Sequence, residues 1–411
     1  MFKFMPTLRL LNGNFPRLFC NLSLSIIFNQ ENKYATNCSA TFQIERQYKL
    51  HRLDKGPSTT ATLTNEDAMN IYEKLSILRQ METAACNMYK EKVIRGFCHL
   101  YIGQEAVAVG MHSMFRKVDT VLTSYRCHAW GQLMSGDVHG VLAEIAGRRT
   151  GRSRGKGGSM HIYANNFYGG NAIVGAQIPL GAGISFASKY RGDGGVCFTM
   201  YGDGASNQGQ AFEAFNIAKL WSLPCAFVCE NNMYGMGTSI KRSSASTEFY
   251  KRGDYIPGIW VDGMDVLATR EATRFIIDHC SNGKGPLMVE MGTYRYTGHS
   301  MSDPGTSYRP REEIKEMRDK HDPINNFREK IISKGLVTDD QIKKIDKNIR
   351  TVVNEAVEQT KSEIEIGPEE LAADIYSKNL HPFIRGIRPD TPLEHFNVSK
   401  GKKDIIPYEI K

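Results

Sequence analysis

A strand–helix–strand pattern in residues 196–230 constrains the fold of this 411-residue chain more than any other feature. An apolar run over residues 196–201 precedes a glycine-rich turn, a helical segment over about residues 208–221 and a second apolar run over residues 226–229. Apolar runs joined by a helix are typical of neighbouring strands in a parallel sheet, because such a sheet is buried on both faces. Residues 287–290 predict a further strand. We therefore expect an α/β fold, a parallel sheet covered by helices on both faces.

Two long helices are predicted outside this unit. Thr64 and Asp67 form a capping-box pattern at the start of a helix that extends from residue 65 to about residue 92. Thr338 and Gln341 open a second amphipathic helix that reaches about residue 362. Residues 297–311 read as a polar loop. The stretch 147–158 alternates cations with small residues and is poor core material.

The N-terminal segment has the composition of a mitochondrial transit peptide. Its first 30 residues contain spaced Arg and Lys but no Asp or Glu. A secretory signal is the alternative, but serine and asparagine interrupt the apolar run at residues 22–28. We expect a transit peptide over residues 1–35, import into the mitochondrial matrix, one catalytic domain over residues 36–382 and an irregular tail over residues 383–411.

Composition excludes several other classes of protein. The net charge of +8 comes without a basic run interleaved with aromatics, so nucleic-acid binding is not indicated. No stretch approaches the roughly 20 apolar residues of a membrane-spanning helix. The nine cysteines have no metal-binding spacing and are expected to be reduced thiols.

The glycine-rich turn carries the chemistry of the predicted sheet. Gly202, Asp203 and Gly204 directly follow one strand, and Asn231 and Asn232 end the next. Ligands of parallel sheets bind beyond the carboxyl ends of the strands. A carboxylate oxygen from Asp203 and an amide oxygen from Asn232 suit Mg2+, which is commonly held by a few protein oxygens together with the phosphates of its ligand.

Two other phosphate-binding motifs fit less well. A dinucleotide site would use Gly202, Gly204 and Gly209 with Glu230 at the end of the second strand, but the glycine spacing departs from G-x-G-x-x-G. Asp203 would also press its carboxylate against a bare pyrophosphate unless a cation lay between them. A P-loop over residues 151–156 fails, because glycine follows the lysine where Ser or Thr is required.

At these residues the sequence resembles a known family. The Gly-Asp-Gly triplet, followed after 26 residues by Asn-Asn, resembles the signature of thiamine-diphosphate enzymes. A wider resemblance, over roughly residues 41–382, is to the α subunits of pyruvate dehydrogenases among the 2-oxoacid dehydrogenases. The segments that carry it are residues 95–100, 103–106, 155–161, 166–177, 201–210 and 301–309.

The resemblance implies roles for individual residues. Mg2+ would be bound by Asp203, Asn232 and the backbone carbonyl of Tyr234. The active site would contain His99 and His299. The other residues implied to contact thiamine diphosphate are Tyr125, Arg126, Ala164, Ala172, Val174, Gly204 and Ala205.

It also implies a reaction and partners. Enzymes of this kind decarboxylate pyruvate oxidatively and pass the acetyl group to the lipoyl arm of dihydrolipoyl acetyltransferase. A β subunit supplies a catalytic glutamate within an α2β2 heterotetramer, and a kinase and a phosphatase regulate the enzyme. The serines that correspond to regulated positions are Ser239, Ser300 and Ser307.

The chain departs from the family pattern at two positions. Ala172 stands where glycine is usual, and Thr297 stands where histidine is expected. Two other readings therefore remain open. The chain could be the α subunit of a branched-chain 2-oxoacid dehydrogenase, although residues 301–305 resemble the pyruvate enzyme. It could also be a non-catalytic regulatory or assembly subunit with the same fold.

Overall fold

The computed structural model describes residues 38–376, 383–384, 393–397 and 402–403. The predicted transit peptide lies outside these residues. The described residues from Ser39 onward belong to one compact unit. None of the described helices is both long enough and apolar enough to cross a membrane.

The strands, in chain order, are β1 (Ser39–Gln43), β2 (Lys49–His51), β3 (Thr60–Thr64), β4 (Thr120–Ser124), β5 (Phe167–Asn171), β6 (Cys197–Gly202), β7 (Cys225–Asn231), β8 (Gly258–Asp262), β9 (Leu287–Gly292), β10 (Phe383–Ile384), β11 (Leu393–Glu394), β12 (Phe396–Asn397) and β13 (Lys402–Lys403). The α-helices are α1 (Asn65–Lys90), α2 (Glu105–His112), α3 (His128–Ser135), α4 (Val138–Ile145), α5 (Gln177–Arg191), α6 (Gly209–Leu220), α7 (Ile240–Ser243), α8 (Val266–Ser281), α9 (Arg311–His321), α10 (Pro323–Ser333) and α11 (Asp339–Ser362).

The predicted sheet is present, with seven strands in the order β2-β8-β9-β7-β6-β4-β5. Every pairing is parallel except that of the edge strand β2, which runs antiparallel to β8. The strand–helix–strand prediction is confirmed by β6, α6 and β7, and the fourth predicted strand is β9. Outside this sheet, β1 pairs with β3, and the described part of the C-terminal tail forms the pairs β10–β11 and β12–β13.

Helices cover both faces of the sheet, as expected. Successive side chains of a strand point to opposite faces. In β6, Phe198 and Met200 therefore pack in one apolar cluster, which includes residues of α1, α2 and α8. Tyr201 packs in a second cluster, which includes residues of α5 and α6.

The predicted capping box at the start of α1 is present, and the predicted start of α11 has one as well. The Thr64 hydroxyl accepts the amide of Asp67, whose carboxylate accepts the amide of Thr64. Thr338 and Gln341 make the same reciprocal pair at the start of α11. Such caps satisfy amides that have no partner in the first helical turn, so the local sequence alone determines where these helices begin.

The predicted polar loop is also present, because the described chain has neither helix nor strand between Gly292 and Arg311. This loop follows the carboxyl end of β9. The carboxyl ends of β4, β6 and β7 lie side by side at the same edge of the sheet. The topology therefore gathers several irregular segments at the edge where ligands of parallel sheets bind.

Candidate active site

A cavity of about 390 Å³ lies beyond the carboxyl ends of β4, β6 and β7. Nine of the predicted site residues line it. They are Tyr125, Arg126, Val174, Asp203, Gly204, Ala205, Asn232, Tyr234 and His299. Segments that are far apart in the sequence thus meet in one cavity.

Asp203 contributes a buried acidic group without a complete set of partners. It follows β6 directly and is only 3% exposed. Its Oδ2 atom has no hydrogen-bond partner among the described residues. Burial raises the pKa of the carboxyl to about 6. A buried carboxylate is costly unless a cation or donors compensate for its lost hydration.

Asn232 and Tyr234 bring two further oxygens to the cavity. The Asn232 amide nitrogen donates to Gln104 Oε1 at 2.9 Å, which orients the amide. Asn232 Oδ1 and the Tyr234 carbonyl both lie near one Arg295 guanidinium nitrogen, at 3.5 and 3.2 Å. One cationic nitrogen thus contacts both oxygens, so both are directed toward the same region of the cavity.

The local backbone explains why the Asn232 side chain and the Tyr234 carbonyl contact the same nitrogen. Met233, between the two residues, adopts φ +75°, which is uncommon for a residue other than glycine and turns the chain sharply. The Asn231 side chain supports this turn, since its Oδ1 atom accepts the Met233 amide at 3.1 Å. The three predicted ligands are hard oxygens, which is the donor chemistry of Mg2+. The unpartnered carboxylate and the two clustered oxygens therefore fit the predicted metal.

The glycines of the motif leave room beside these ligands. A Cβ atom built on Gly202 or Gly204 would have no heavy atom within 4 Å. Both glycines line the cavity, so any side chain there would take up space that the cavity now provides. A diphosphate close to the backbone needs this space.

The two predicted active-site histidines are in contact. Their rings lie 5.3 Å apart, and the His99 ring lies 4.6 Å from that of Tyr125. His99 Nδ1 is 3.0 Å from the His299 carbonyl, and His299 Nδ1 is 3.3 Å from the Gly235 carbonyl. Because a carbonyl only accepts, each Nδ1 carries the proton. In the neutral rings this leaves Nε2 as the acceptor.

Both histidines are neutral at physiological pH. Burial, followed by the charge of Arg126, lowers the pKa of His99 to about 3 and that of His299 to about 4. The Arg126 guanidinium donates to the carbonyls of Leu100 and His299. Arg126 thus fixes the backbone beside both histidines and keeps their rings uncharged.

Asp303 organises the loop that carries His299. Its Oδ2 atom accepts the His299 amide and the Tyr308 hydroxyl, both at 2.6 Å. The Tyr308 hydroxyl in turn accepts from Arg295 at 3.0 Å. This chain of hydrogen bonds connects the loop to the guanidinium beside Asn232 and Tyr234.

Thr297 holds the same loop through its backbone. Its carbonyl accepts from Arg309 at 2.7 Å and from Arg295 at 3.3 Å. The Oγ1 atom of Thr297 is buried without a partner among the described residues. These contacts do not use the side chain, so threonine in place of the family's histidine does not remove them.

Three predicted site residues do not line the cavity. His99 contacts Tyr125 and His299, which do line it. Ala164 forms an isolated bridge with Phe167, and Ala172 directly follows β5.

The predicted regulated serines differ in exposure. Ser300 is buried, and its hydroxyl lies 2.8 Å from that of Ser302. Ser239 is half-buried before α7, and Ser307 is exposed.

Sequence reasoning missed other residues that line the cavity. Glu230 is 4% exposed, accepts a hydrogen bond from the Tyr101 hydroxyl, and has its pKa raised to about 7 by burial. The sequence placed Glu230 at the end of a strand, next to Asn231, where it was considered only as the acid of a dinucleotide site. Gly202, which belongs to the predicted motif, also lines the cavity, and the other missed lining residues are Gln104, Ser124, Gln177, Gly235, Met236 and Arg295.

The sequence of this chain is similar to those of known proteins. The sequence profile of the dehydrogenase E1 component family matches residues 73–369. A relative in Caenorhabditis elegans, named as a probable mitochondrial pyruvate dehydrogenase E1 component subunit alpha, is 58% identical over 352 residues, 85% of this chain and 89% of its own. The type II mitochondrial subunit alpha of Ascaris suum is 58% identical over 89% of this chain and 93% of its own. The human somatic mitochondrial subunit alpha is 52% identical over 84% and 89%.

Proposed function

The chain belongs to the dehydrogenase E1 component family, and on that premise we propose that it is the α subunit of a mitochondrial pyruvate dehydrogenase. The observation that carries the proposal in the structure is the meeting of Asp203, Asn232 and Tyr234 oxygens in one cavity. The relatives in worms and mammals that match most of the chain bear the name of this subunit.

The activity is the oxidative decarboxylation of pyruvate, with transfer of the acetyl group to the lipoyl arm of dihydrolipoyl acetyltransferase. Dependence on thiamine diphosphate follows from membership of the family. The bound cofactor supplies a carbon nucleophile for the keto carbon of pyruvate and accepts the electrons released on decarboxylation.

The chain's own contribution is to bind and orient. Mg2+ would be held by the Asp203 carboxylate, the Asn232 amide oxygen and the Tyr234 carbonyl. Gly204 and Ala205 would lie against the diphosphate of the cofactor. The ion offsets the cost of burying Asp203, so metal and diphosphate binding depend on each other.

His99 and His299 act as neutral hydrogen-bonding groups. Each donates through Nδ1 to a backbone carbonyl, so its Nε2 atom can accept a proton or a hydrogen bond from a substrate. A lowered pKa keeps these positions uncharged, which avoids repulsion between the two rings and the nearby Arg126.

A β subunit completes the enzyme. An α subunit of this family works with a β subunit, and we propose an α2β2 heterotetramer in which the β chain contributes the catalytic glutamate. The lipoyl domain, a kinase and a phosphatase are the further partners. The site of action is the mitochondrial matrix, in accord with the names of the relatives.

Phosphorylation of Ser239, Ser300 and Ser307 would regulate the enzyme. Ser300 has the clearest physical consequence, because it adjoins His299 and is buried. A phosphate adds about −1.5 to −2 charges, which cannot remain in that environment without moving the loop.

Substrate discrimination tests the proposal. The chain is co-expressed with its β subunit, and acetylation of a lipoyl domain is compared between pyruvate and a branched-chain 2-oxoacid. The proposal predicts that pyruvate is strongly preferred. Preference for the branched acid would identify a branched-chain dehydrogenase subunit, and inactivity with both acids would identify a non-catalytic subunit.

A further inference from the structure

Three buried polar side chains form a continuous chain next to His99. Glu82 in α1, His128 in α3 and Ser159 in the loop before β5 are 0%, 0% and 4% exposed. Glu82 Oε2 lies 2.9 Å from His128 Nδ1, and His128 Nε2 lies 2.8 Å from Ser159 Oγ. We call this the Glu82–His128–Ser159 relay.

Both ends of the relay hold backbone amides of the same short segment. The Ser159 hydroxyl oxygen accepts the His99 amide at 3.1 Å. The other Glu82 oxygen, Oε1, accepts the Tyr101 amide at 2.9 Å. Leu100, between them, has its carbonyl held by Arg126. Three successive residues are thus fixed by side chains.

The segment needs such support because it has no regular structure. The described chain has neither helix nor strand between Lys90, where α1 ends, and Glu105, where α2 begins. Buried amides that lack partners in secondary structure must find them elsewhere. In this segment the relay supplies those partners, so the position of His99 depends on side chains of α1 and α3.

The hydrogen-bond directions are consistent along the whole chain. An ionised Glu82 can only accept, which places a proton on His128 Nδ1. In the neutral imidazole, Nε2 is then an acceptor and takes the Ser159 hydroxyl proton. The Ser159 oxygen keeps a lone pair for the His99 amide, so every member is satisfied at once.

A Ser–His–Glu chain at these distances also resembles the catalytic triad of hydrolases. That reading fails on access. Ser159 is buried, its oxygen already accepts the His99 amide, and it does not line the cavity that contains Asp203 and His299. A nucleophile must be open to its substrate, whereas this hydroxyl is enclosed and occupied.

We propose that Glu82, His128 and Ser159 are positioning residues, which hold the backbone of residues 99–101 so that the His99 ring stays against Tyr125 and His299. The catalytic part of this inference rests on the proposed function, because it assumes that His99 acts in the reaction. The structural part stands by itself and can be measured without any turnover.

Ser159→Ala is the direct test, in the enzyme assembled with its β subunit. It removes the acceptor of the His99 amide and the donor to His128. Ser185→Ala is the matched control. It deletes an equally buried serine hydroxyl, which bonds within α5 to the Gly181 carbonyl and lies outside the site.

The first measurement is hydrogen–deuterium exchange. We expect faster exchange in peptides covering residues 98–104 of Ser159→Ala and unchanged exchange there in Ser185→Ala. Equal exchange of this segment in wild type and Ser159→Ala would overturn the proposal, whether or not the enzyme turns over pyruvate.

The second measurement is steady-state kinetics. Displacement of a catalytic group by about 1 Å can lower a rate by roughly a hundredfold. We expect kcat of Ser159→Ala to fall by roughly ten- to a hundredfold, with the affinity for thiamine diphosphate unchanged. If Ser159→Ala kept the wild-type kcat and lost only as much stability as Ser185→Ala, the Ser159 hydroxyl would have a structural role alone.

A second variant covers the case in which Ser159→Ala does not fold. Glu82→Gln keeps the shape of the side chain but replaces one of its two acceptor oxygens by a donor, so it can no longer accept from both His128 and the Tyr101 amide. The same faster exchange and loss of kcat are expected. Wild-type values for both would contradict the relay. An inactive wild-type enzyme would refute the proposed function instead, while the exchange experiment would still decide the relay.

Discussion

Replacing Asp203 by asparagine should stabilise the protein without metal and abolish its binding of Mg2+ and thiamine diphosphate. The Asp203 carboxyl is 3% exposed, and burial raises its pKa from 3.8 to about 6. Each tenfold change in a protonation equilibrium is worth roughly 1.4 kcal/mol, so the ionised group destabilises the folded protein by about 3 kcal/mol at pH 7. Asparagine has nearly the same shape and removes this cost.

The sign follows from where the proton binds more tightly. Below pH 3.8 the group is protonated in both the folded and the unfolded chain, and it costs nothing. The cost develops as the pH rises toward about 6, and it is complete above that value. The stability gain of Asp203→Asn should therefore be largest near neutral pH and smaller at pH 5.

The assay is thermal unfolding of the α subunit assembled with its β subunit, with and without Mg2+ and thiamine diphosphate. Without them, the variant should melt higher than wild type. With them, wild type should gain stability and the variant should not, and calorimetry should detect no cofactor binding to the variant. Asp340→Asn, at a highly exposed side chain, is the control and should match wild type in both conditions. A destabilised Asp203→Asn protein, or one with wild-type cofactor affinity, would refute the reasoning.

Two more predictions concern the loop and its histidines. Since His99 and His299 have pKa values lowered to about 3 and 4, the unfolded chain takes up their protons first, and the melting temperature should fall as the pH is lowered from about 6.5 toward 4. Both rings must be replaced to remove the effect. A His99→Gln, His299→Gln double variant that loses as much stability on acidification as wild type would contradict the lowered pKa values of these histidines. Ser300→Glu should lower lipoyl acetylation by at least roughly tenfold, because a charge at this buried position disrupts the Asp303 contacts of the loop. Normal acetylation by this variant would rule out the proposed regulation, and Ser307→Glu, at an exposed site, should have the smaller effect.

The centre of the fold could be predicted because its local signals agree with its packing. The strands β6 and β7 are buried over almost their whole length, so most of their residues are apolar and form continuous runs in the sequence. Adjacent parallel strands end at the same edge, and Gly202 does pair with Glu230. That pairing is why the closeness of Asp203 and Asn232 could be inferred from spacing alone.

The remainder of the site depends on distant segments with no shared local pattern. Gln104 orients Asn232 across 128 residues of sequence, and Arg295 reaches the same amide from the loop after β9. Neither residue has a spacing that marks it as part of a site. Their roles arise from tertiary packing, which a single sequence does not reveal.

The basic stretch of residues 147–158 is another segment whose tertiary partners the sequence does not reveal. Most of its cations are paired with acids in residues 365–374, including Arg154 with Glu370 at 2.7 Å and Lys156 with Asp374 at 3.1 Å. Its backbone is held by Glu144, which accepts the Gly157 amide at 2.6 Å. The sequence indicated poor core material but not these partners, because the pairing spans 216 residues.

The most direct test of the central claim is release of carbon dioxide from pyruvate radiolabelled at its carboxyl carbon by the co-expressed α and β subunits. We predict that release requires thiamine diphosphate and Mg2+ together and is lost when the α subunit carries Asp203→Asn. Release by the β subunit alone, or undiminished release by the Asp203→Asn enzyme, would contradict the claim that this cavity holds the cofactor and metal of a pyruvate dehydrogenase.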